Sequence, residues 1–223
     1  MFNRAQLFIA LALSAIVVVA ILVFVFRPLR EAERVGALKG LFVGVVNYMG
    51  DHGSVPPPFL RDSKGRRAHS WRVLLLPYVD HPKLYDQYNE DLPWDAPENR
   101  VLLDETPEAY RSPAAGRQPA GVTNYLAVVG HNTTWPPGRS LSTKEWTEFP
   151  TDTVMIVEDL QSSVQWTEPR DLGLDEAMDD DGPFRRPGGV LCLFHDGSVR
   201  LVGPEVDRDV LASMLTGRAS IDK

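Results

Sequence analysis

Cysteine is nearly missing from this sequence, in which Cys192 is the single example among 223 residues. One thiol cannot form an internal disulfide, and it cannot build a cysteine-rich structural zinc site. Four of the five histidines are scattered along the chain without zinc-site spacing: His52, His69, His81 and His131. The sequence therefore predicts neither a disulfide framework nor a structural zinc centre.

Signatures of common enzyme classes are missing as well. The sequence contains no glycine-rich phosphate loop, no G-x-S-x-G elbow and no C-x-x-C pair. Basic residues are also outnumbered, with 23 Lys and Arg against 30 Asp and Glu and a net charge of −7. Without residues 1–30 the balance is 20 against 30. An acidic chain of this kind is repelled by nucleic acid, so no nucleic-acid partner is expected, and no cofactor is predicted either.

A long apolar run occupies the N-terminus. Residues 7–26 read LFIALALSAIVVVAILVFVF, in which Ser14 is the only polar residue. At 1.5 Å per residue a helix of this length spans about 30 Å, the thickness of a bilayer core. The run ends in bulky residues and lacks the small residues of a cleavage site. The sequence predicts an uncleaved transmembrane anchor over residues 1–30 and one globular domain over residues 31–223.

The first half of that domain reads as helical and irregular. Residues 31–52 have apolar positions at helical spacing, and residues 53–122 read as loops and short helices. Within the helix, Gly36, Gly40 and Gly44 recur every four residues. Each glycine costs a helix about 1 kcal/mol relative to alanine, which favours a packing groove for another helix or side chain. The alternative is a frayed segment beside the membrane.

The second half reads as strands and a last helix. Apolar and β-branched segments at residues 123–130, 152–159 and 162–168 precede an apolar hairpin, which places a sheet over residues 123–203. Residues 204–217 then predict a helix. Because no crossover helices separate the strands, the sequence predicts an α+β fold with an antiparallel sheet.

The hairpin segment is RRPGGVLCLFHDGSVRLV, residues 185–202. Asp196 and Gly197 between apolar runs predict a two-residue type I′ turn. Such a turn pairs His195 with Ser198, Phe194 with Val199, Leu193 with Arg200, and Cys192 with Leu201. One apolar face then holds Val190, Cys192, Phe194, Val199 and Leu201, and His195 falls on the other face at the tip.

Two groups of side chains are candidates for chemistry. Asp179, Asp180 and Asp181 offer oxygen ligands for Ca²⁺, but they lack the EF-hand pattern and equally fit a solvated loop. A membrane-tethered hydrolase or metal-binding module is the second alternative, and it would use Glu158, Asp159, His195 and Asp196. A solvated strand end and a turn explain the same four residues.

Several segments together resemble the bacterial pseudopilin-like family classed as domain of unknown function 1559. They include, in order, YMGDHGSVPPPF, SWRVLLLPYVDHPKLYDQY, PWDAPENR, TNYLAVVG, VMIVED and RPGGVLCLFHDGSVRLV. The resemblance implies a pilin-like membrane helix that continues into a globular domain. The family's C-terminal signature is a histidine, nine residues and then Asp-Gly. Asp196 and Gly197 match its end, whereas Arg186 stands where the histidine is expected.

The resemblance implies a role in the cell envelope. It predicts a single-pass protein of the bacterial inner membrane, with its domain outside the cytoplasm and with secretion or pilus-type relatives. Positive charges after the apolar run, such as Arg27 and Arg30, favour the opposite orientation, but large domains translocate despite such charges. The N-terminus lacks the glycine and glutamate expected for prepilin processing. We therefore expect a non-catalytic structural or interaction protein that forms homo- or hetero-oligomers through its N-terminal helix.

Overall fold

The structure is a computed structural model that describes residues 14–15, 17–19 and 27–217. Most of the predicted anchor, residues 7–26, lies outside the described residues. Within the described part of the chain, no helix is both long enough and apolar enough to cross a bilayer. The fold that these residues form is α+β, in agreement with the sequence-based prediction.

Helix α1 (Arg27–His52) contains the predicted helix and begins four residues before residue 31. Its buried side chains follow the three- and four-residue spacing of one helix face: Leu38, Leu41 and Val45. Gly53 ends the helix with a φ of +67°, and its N–H donates to the carbonyl of Met49 over 2.8 Å. Glycine adopts this left-handed conformation without the steric cost that a Cβ would add.

Residues 53–122 hold a hairpin that the sequence did not predict. Strands β1 (Phe59–Arg61) and β2 (Arg67–Ser70) pair antiparallel around the polar segment that had been interpreted as a loop. Gly65, at a φ of +78°, closes the turn. The predicted short helices follow as α2 (Trp71–Leu75), α3 (Pro82–Tyr85) and α4 (Pro97–Arg100), with 3₁₀ turns at Leu76–Tyr78, Val101–Asp104 and Glu108–Tyr110.

A five-stranded sheet forms the centre of the fold. Its strands are β3 (Tyr125–Val129), β4 (Val154–Glu158), β5 (Leu172–Gly173), β6 (Val190–Phe194) and β7 (Val199–Val202), in the order β5-β3-β4-β6-β7. The prediction of an antiparallel sheet holds for three strand pairs and is wrong for the fourth, since β5 runs parallel to β3. The chain returns to that edge through a long loop, so no crossover helix signalled the parallel pair.

The predicted strand at residues 162–168 is also wrong. Its apolar residues Val164 and Trp166 are buried, as a strand would bury them. Their backbones, however, bond to the loop before β3 and form only an isolated bridge between Val122 and Gln165. Burial without a continuous ladder accounts for the strand-like pattern.

Both faces of the sheet are covered. On one face α1 packs with Ala127, Ile156, Leu191 and Leu193. On the other face helix α7 (Arg208–Thr216) packs through Leu211 and Leu215 against the alternate residues Leu126, Val128, Val190 and Cys192. Helices α5 (Thr143–Thr147) and α6 (Leu174–Met178) and a 3₁₀ turn at Pro183–Arg185 lie in the loops between strands. The central strands β3, β4 and β6 are buried on both faces, and such strands have continuous apolar sequences.

The predicted hairpin register is wrong by one residue. Leu193 pairs with Val199 and Cys192 with Arg200, because three residues, 195–197, form the loop. Gly197 alone takes positive φ, at +77°, as in a type I turn followed by a glycine bulge. Each side chain of β7 therefore faces opposite to the prediction, and Leu201 is 57% exposed.

The last helix starts later than residues 204–217 predicted. Asp207 is its N-cap, and the Asp207 carboxylate accepts from the N–H groups of Asp209 and Val210. Pro204 lies before this cap, so its fixed φ marks the loop and not the first turn of α7. Gly217 ends the helix with a φ of +62°.

Candidate functional site

The acidic pair Glu158 and Asp159 ends β4, and it joins the sheet to α1 and to the loop before β6. The side chain of Glu158 is fully buried, with 0% exposed. Its Oε2 accepts hydrogen bonds from Nε of Arg34, at 2.9 Å, and from a terminal nitrogen of the same guanidinium. Its Oε1 accepts from the Ser112 hydroxyl at 2.6 Å. The solvated strand end considered from the sequence is therefore wrong for Glu158.

Arg34 lies on α1, 124 residues before Glu158 in the chain. It also donates to Glu31 over 2.8 Å. Burial lowers the pKa of Arg34, but the hydrogen bond and the negative charge of Glu158 raise it, and the pKa ends above its ordinary value. The charge pair thus fixes the N-terminal part of α1 to the sheet.

Asp159 makes a second ion pair beside the first. A terminal nitrogen of Arg186 donates to Asp159 Oδ1 over 2.7 Å, and the same oxygen accepts from the Gln161 N–H. The backbone of Asp159 exchanges hydrogen bonds with Asn124 at the start of the β3 segment. Arg186, at the position expected to hold histidine, therefore supplies a charge that holds the loop before β6 against the end of β4.

His195 is buried at the other end of the same strands. It is 8% exposed, and its ring lies 4.2 Å, centroid to centroid, from that of Trp146. Its Nε2 lies 2.8 Å from the carbonyl oxygen of Trp146, so this nitrogen carries the proton in the neutral ring. Burial lowers the pKa of His195, outweighing the hydrogen bond to Trp146 and the charge of Asp196.

The residues of the hydrolase alternative do not converge. The N–H of His195 donates to the carbonyl of Thr153, just before β4, whereas Glu158 ends that strand. Five residues of extended chain separate the two positions by about 16 Å. Asp196 accepts from the Ser198 N–H within the turn. General acid–base catalysis needs its groups within hydrogen-bond reach, so these four residues form no shared site.

The aspartates predicted as Ca²⁺ ligands are not gathered into a site. Asp179 accepts from the backbone of Asp180, and Asp180 pairs with Arg208 over 3.1 Å. Within the described ranges, no three acidic, histidine or cysteine side chains lie close enough together to hold a metal ion. The solvated-loop interpretation fits these contacts.

The glycine series on α1 divides into two parts. A Cβ on Gly44 would lie 3.0 Å from Cγ1 of Val79. The absence of a side chain at Gly44 therefore lets the segment after α2 pack closely against α1. Gly36 and Gly40 are exposed, and a Cβ on either would meet nothing within 4 Å in the described structure. The groove predicted from all three glycines therefore has one internal occupant, at Gly44.

A buried charge pair was missed from the sequence. Arg72 is 0% exposed and donates to Asp171 over 2.5 Å and to the Tyr125 carbonyl over 2.7 Å. The same Asp171 oxygen accepts from the Trp71 indole and from the Ala127 N–H. Burial raises the pKa of Asp171, and the positive charge of Arg72 opposes that shift. One signal was available: an arginine inside the apolar run SWRVLLLPY.

One surface cleft lies away from all these residues. It encloses about 600 Å³ beside α3. Its lining includes none of the predicted site residues and consists of Asp80, His81, Pro82, Lys83, Leu84, Gln87, Glu105 and Thr106.

Comparison with known proteins gives one match. A family model described as "Protein of unknown function (DUF1559)" matches residues 37–178, which run from the middle of α1 to the end of α6. No curated protein and no solved structure matches the chain. The match includes Glu158, Asp159, Arg72 and Asp171, and it excludes Arg34, Arg186 and the hairpin around Asp196.

Proposed function

Because the chain belongs to the family of unknown function DUF1559, we propose that it is a non-catalytic, membrane-anchored, pseudopilin-like protein with a structural or interaction role. Its place is the bacterial inner membrane, with the globular domain outside the cytoplasm. Secretion or pilus-type assembly is the setting that the resemblance of its segments favours.

The ion pair between Arg34 and Glu158 carries this proposal. The apolar run of residues 7–26 directly precedes α1, and Arg34 ties that helix to a buried carboxylate of the sheet. Residues 28–33 of α1, which follow the apolar run, are exposed, so the start of this helix is not packed into the domain. An anchor whose helix is fixed to its domain holds that domain in a set orientation at the membrane.

The separation of the candidate catalytic residues supports the same proposal. His195 and Glu158 lie at opposite ends of β4, and each is occupied by structural hydrogen bonds. The hydrogen bonds that these buried groups make within the fold stabilise it.

Lateral contacts between helices are a further part of the proposal. Gly36 and Gly40 leave a shallow exposed strip on α1, where another helix can approach closely. Replacing Gly40 with leucine should reduce crosslinking between chains in the membrane. Gly50→Leu is the matched control, since a Cβ at Gly50 also meets nothing within 4 Å. Equal crosslinking in both variants would argue against this strip.

Membrane fractionation tests the anchor itself. The full chain should remain in the membrane pellet after an alkaline wash, and a chain that starts at residue 31 should be released. Release of the full chain by the same wash would overturn the proposal.

A further inference from the structure

The tip of the β1–β2 hairpin is a basic surface on an acidic protein. Residues 61–67, RDSKGRR, hold four basic side chains and one acidic one, in a chain whose net charge is −7. All four basic residues are exposed. We name them together the basic hairpin: Arg61, Lys64, Arg66 and Arg67.

One pairing across the basic hairpin is unfavourable for folding. Arg61 lies directly opposite Arg67 across the ladder, and like charges in that relation destabilise a sheet. Both guanidinium groups lie over the ring of Phe59, at 5.0 and 4.3 Å from its centroid. These cation–π contacts reduce the cost and hold the two charges in place. Within the described part of the chain only Arg66 of the four has an acidic partner, Asp62, so three positive charges remain for an anionic partner.

The same chain carries a surface of opposite charge. Residues 175–181, DEAMDDD, hold five carboxylates and no basic residue, and all five acidic side chains are exposed. We name residues 175–181 the acidic segment. The recorded ion pairs of the two surfaces do not join them, since Arg66 pairs with Asp62 and Asp180 pairs with Arg208. Asp180 is 89% exposed, so its pair is weak and open to competition.

We propose that the basic hairpin of one copy binds the acidic segment of a second copy. This inference rests on the proposed function and names a partner for it. The contact joins different surfaces of the two copies, so it can close reciprocally in a two-fold dimer or repeat head to tail. Exposed ion pairs are individually weak, so several charges act together and the contact weakens with salt.

Charge reversal in the full chain, in detergent micelles, tests this contact. The hairpin variant is Lys64→Glu with Arg66→Glu, and the segment variant is Asp180→Lys with Asp181→Lys. Each alone should raise the dissociation constant of self-association, measured by sedimentation, at least tenfold. An equimolar mixture should restore it to within about threefold of the unaltered chain, because each variant then meets its complement. Lys83→Glu, at an exposed lysine outside the hairpin, is the matched control.

The neutral variant Lys64→Gln with Arg66→Gln provides a second measurement if the reversed hairpin fails to fold. It should weaken association in the same direction with an unchanged melting temperature. If neither charge reversal weakens self-association, or if the two variants do not associate when mixed, the proposal is overturned. Loss of binding to phosphatidylglycerol vesicles in the hairpin variant alone would assign the surface to anionic lipid instead. A chain that is monomeric in every arm but remains in the membrane pellet overturns this contact and leaves the proposed function standing.

Discussion

Two nitrogens of the Arg34 guanidinium in α1 donate hydrogen bonds to the same carboxylate oxygen of Glu158, at the end of β4. The other oxygen of Glu158 is bound by Ser112. The buried carboxylate therefore has partners for both oxygens, and Arg34 has a carboxylate on each side, Glu31 and Glu158. This arrangement attaches a long helix to a sheet at one defined point.

Removing the charge of Glu158 should weaken the fold. Glu158→Gln keeps the size of the side chain and leaves the Arg34 guanidinium, 19% exposed, without its buried counter-charge. The free energy of unfolding should fall by about 2 kcal/mol. Asp180→Asn removes an exposed partner of Arg208 and should change the free energy of unfolding by less than about 0.5 kcal/mol. Equal effects of the two variants in urea denaturation would show that the Glu158 contact adds no stability.

A larger loss is expected at Asp171. Asp171→Asn leaves Arg72, which is wholly buried, without a negative partner, and a buried unpaired charge costs about 3–5 kcal/mol. Glu168→Gln is the control, because Glu168 pairs with the half-exposed Arg170. The midpoint of urea unfolding distinguishes the two variants. If Asp171→Asn has the same midpoint as Glu168→Gln, the Arg72–Asp171 pair does not stabilise the fold.

Stability should decrease as the pH falls below neutrality. The folded-state pKa of His195 lies below its ordinary 6.5, chiefly because the ring is buried. The unfolded chain therefore binds the proton first, and the stability present above pH 6.5 is lost as the pH falls through the folded pKa. His69 is lowered for the same reason and acts in the same direction. His195→Gln should reduce the fall of the melting temperature between pH 7 and 5, and a fall as steep as that of the unaltered chain would contradict this account.

Two glycines of α1 should respond in opposite ways. Gly40→Ala adds a methyl group in open space and removes the backbone freedom of glycine, so it should stabilise the fold by about 0.5–1 kcal/mol. Gly44→Leu forces a large side chain against Val79 and should destabilise it by about 1–3 kcal/mol. Thermal melting checks both, and a stabilising Gly44→Leu would contradict the packing of Val79 against this helix.

The sequence predicts elements of this fold better than the relations between them. Asp196 and Gly197 mark a turn, but the dipeptide does not determine whether the loop has two residues or three. The third loop residue shifts the pairing by one position, so every side chain of β7 lies on the face opposite to the predicted one. In the structure His195 lies in the loop and packs on Trp146, 49 residues away. No local pattern encodes a contact of that separation.

The candidate site was predicted only in part, for the same reason. Glu158 and Asp159 are conspicuous as acids after an apolar run, but their partners Arg34 and Arg186 come from distant segments. In the sequence alone, a buried acidic residue cannot be distinguished from a solvated one, because its partner comes from a distant segment. Sequence patterns show which residues are apolar along one element, whereas charge pairing depends on how elements meet.

Labelling of engineered cysteines in intact cells tests the proposed function most directly. Cys192 is buried, so a single cysteine placed at the exposed Ser63 gives one reactive position in the domain. A maleimide that cannot cross the inner membrane should label Ser63→Cys in cells whose outer layer has been made permeable, while an unaltered chain stays unlabelled. Labelling of Ser63→Cys only after the inner membrane is broken would contradict an anchored domain outside the cytoplasm.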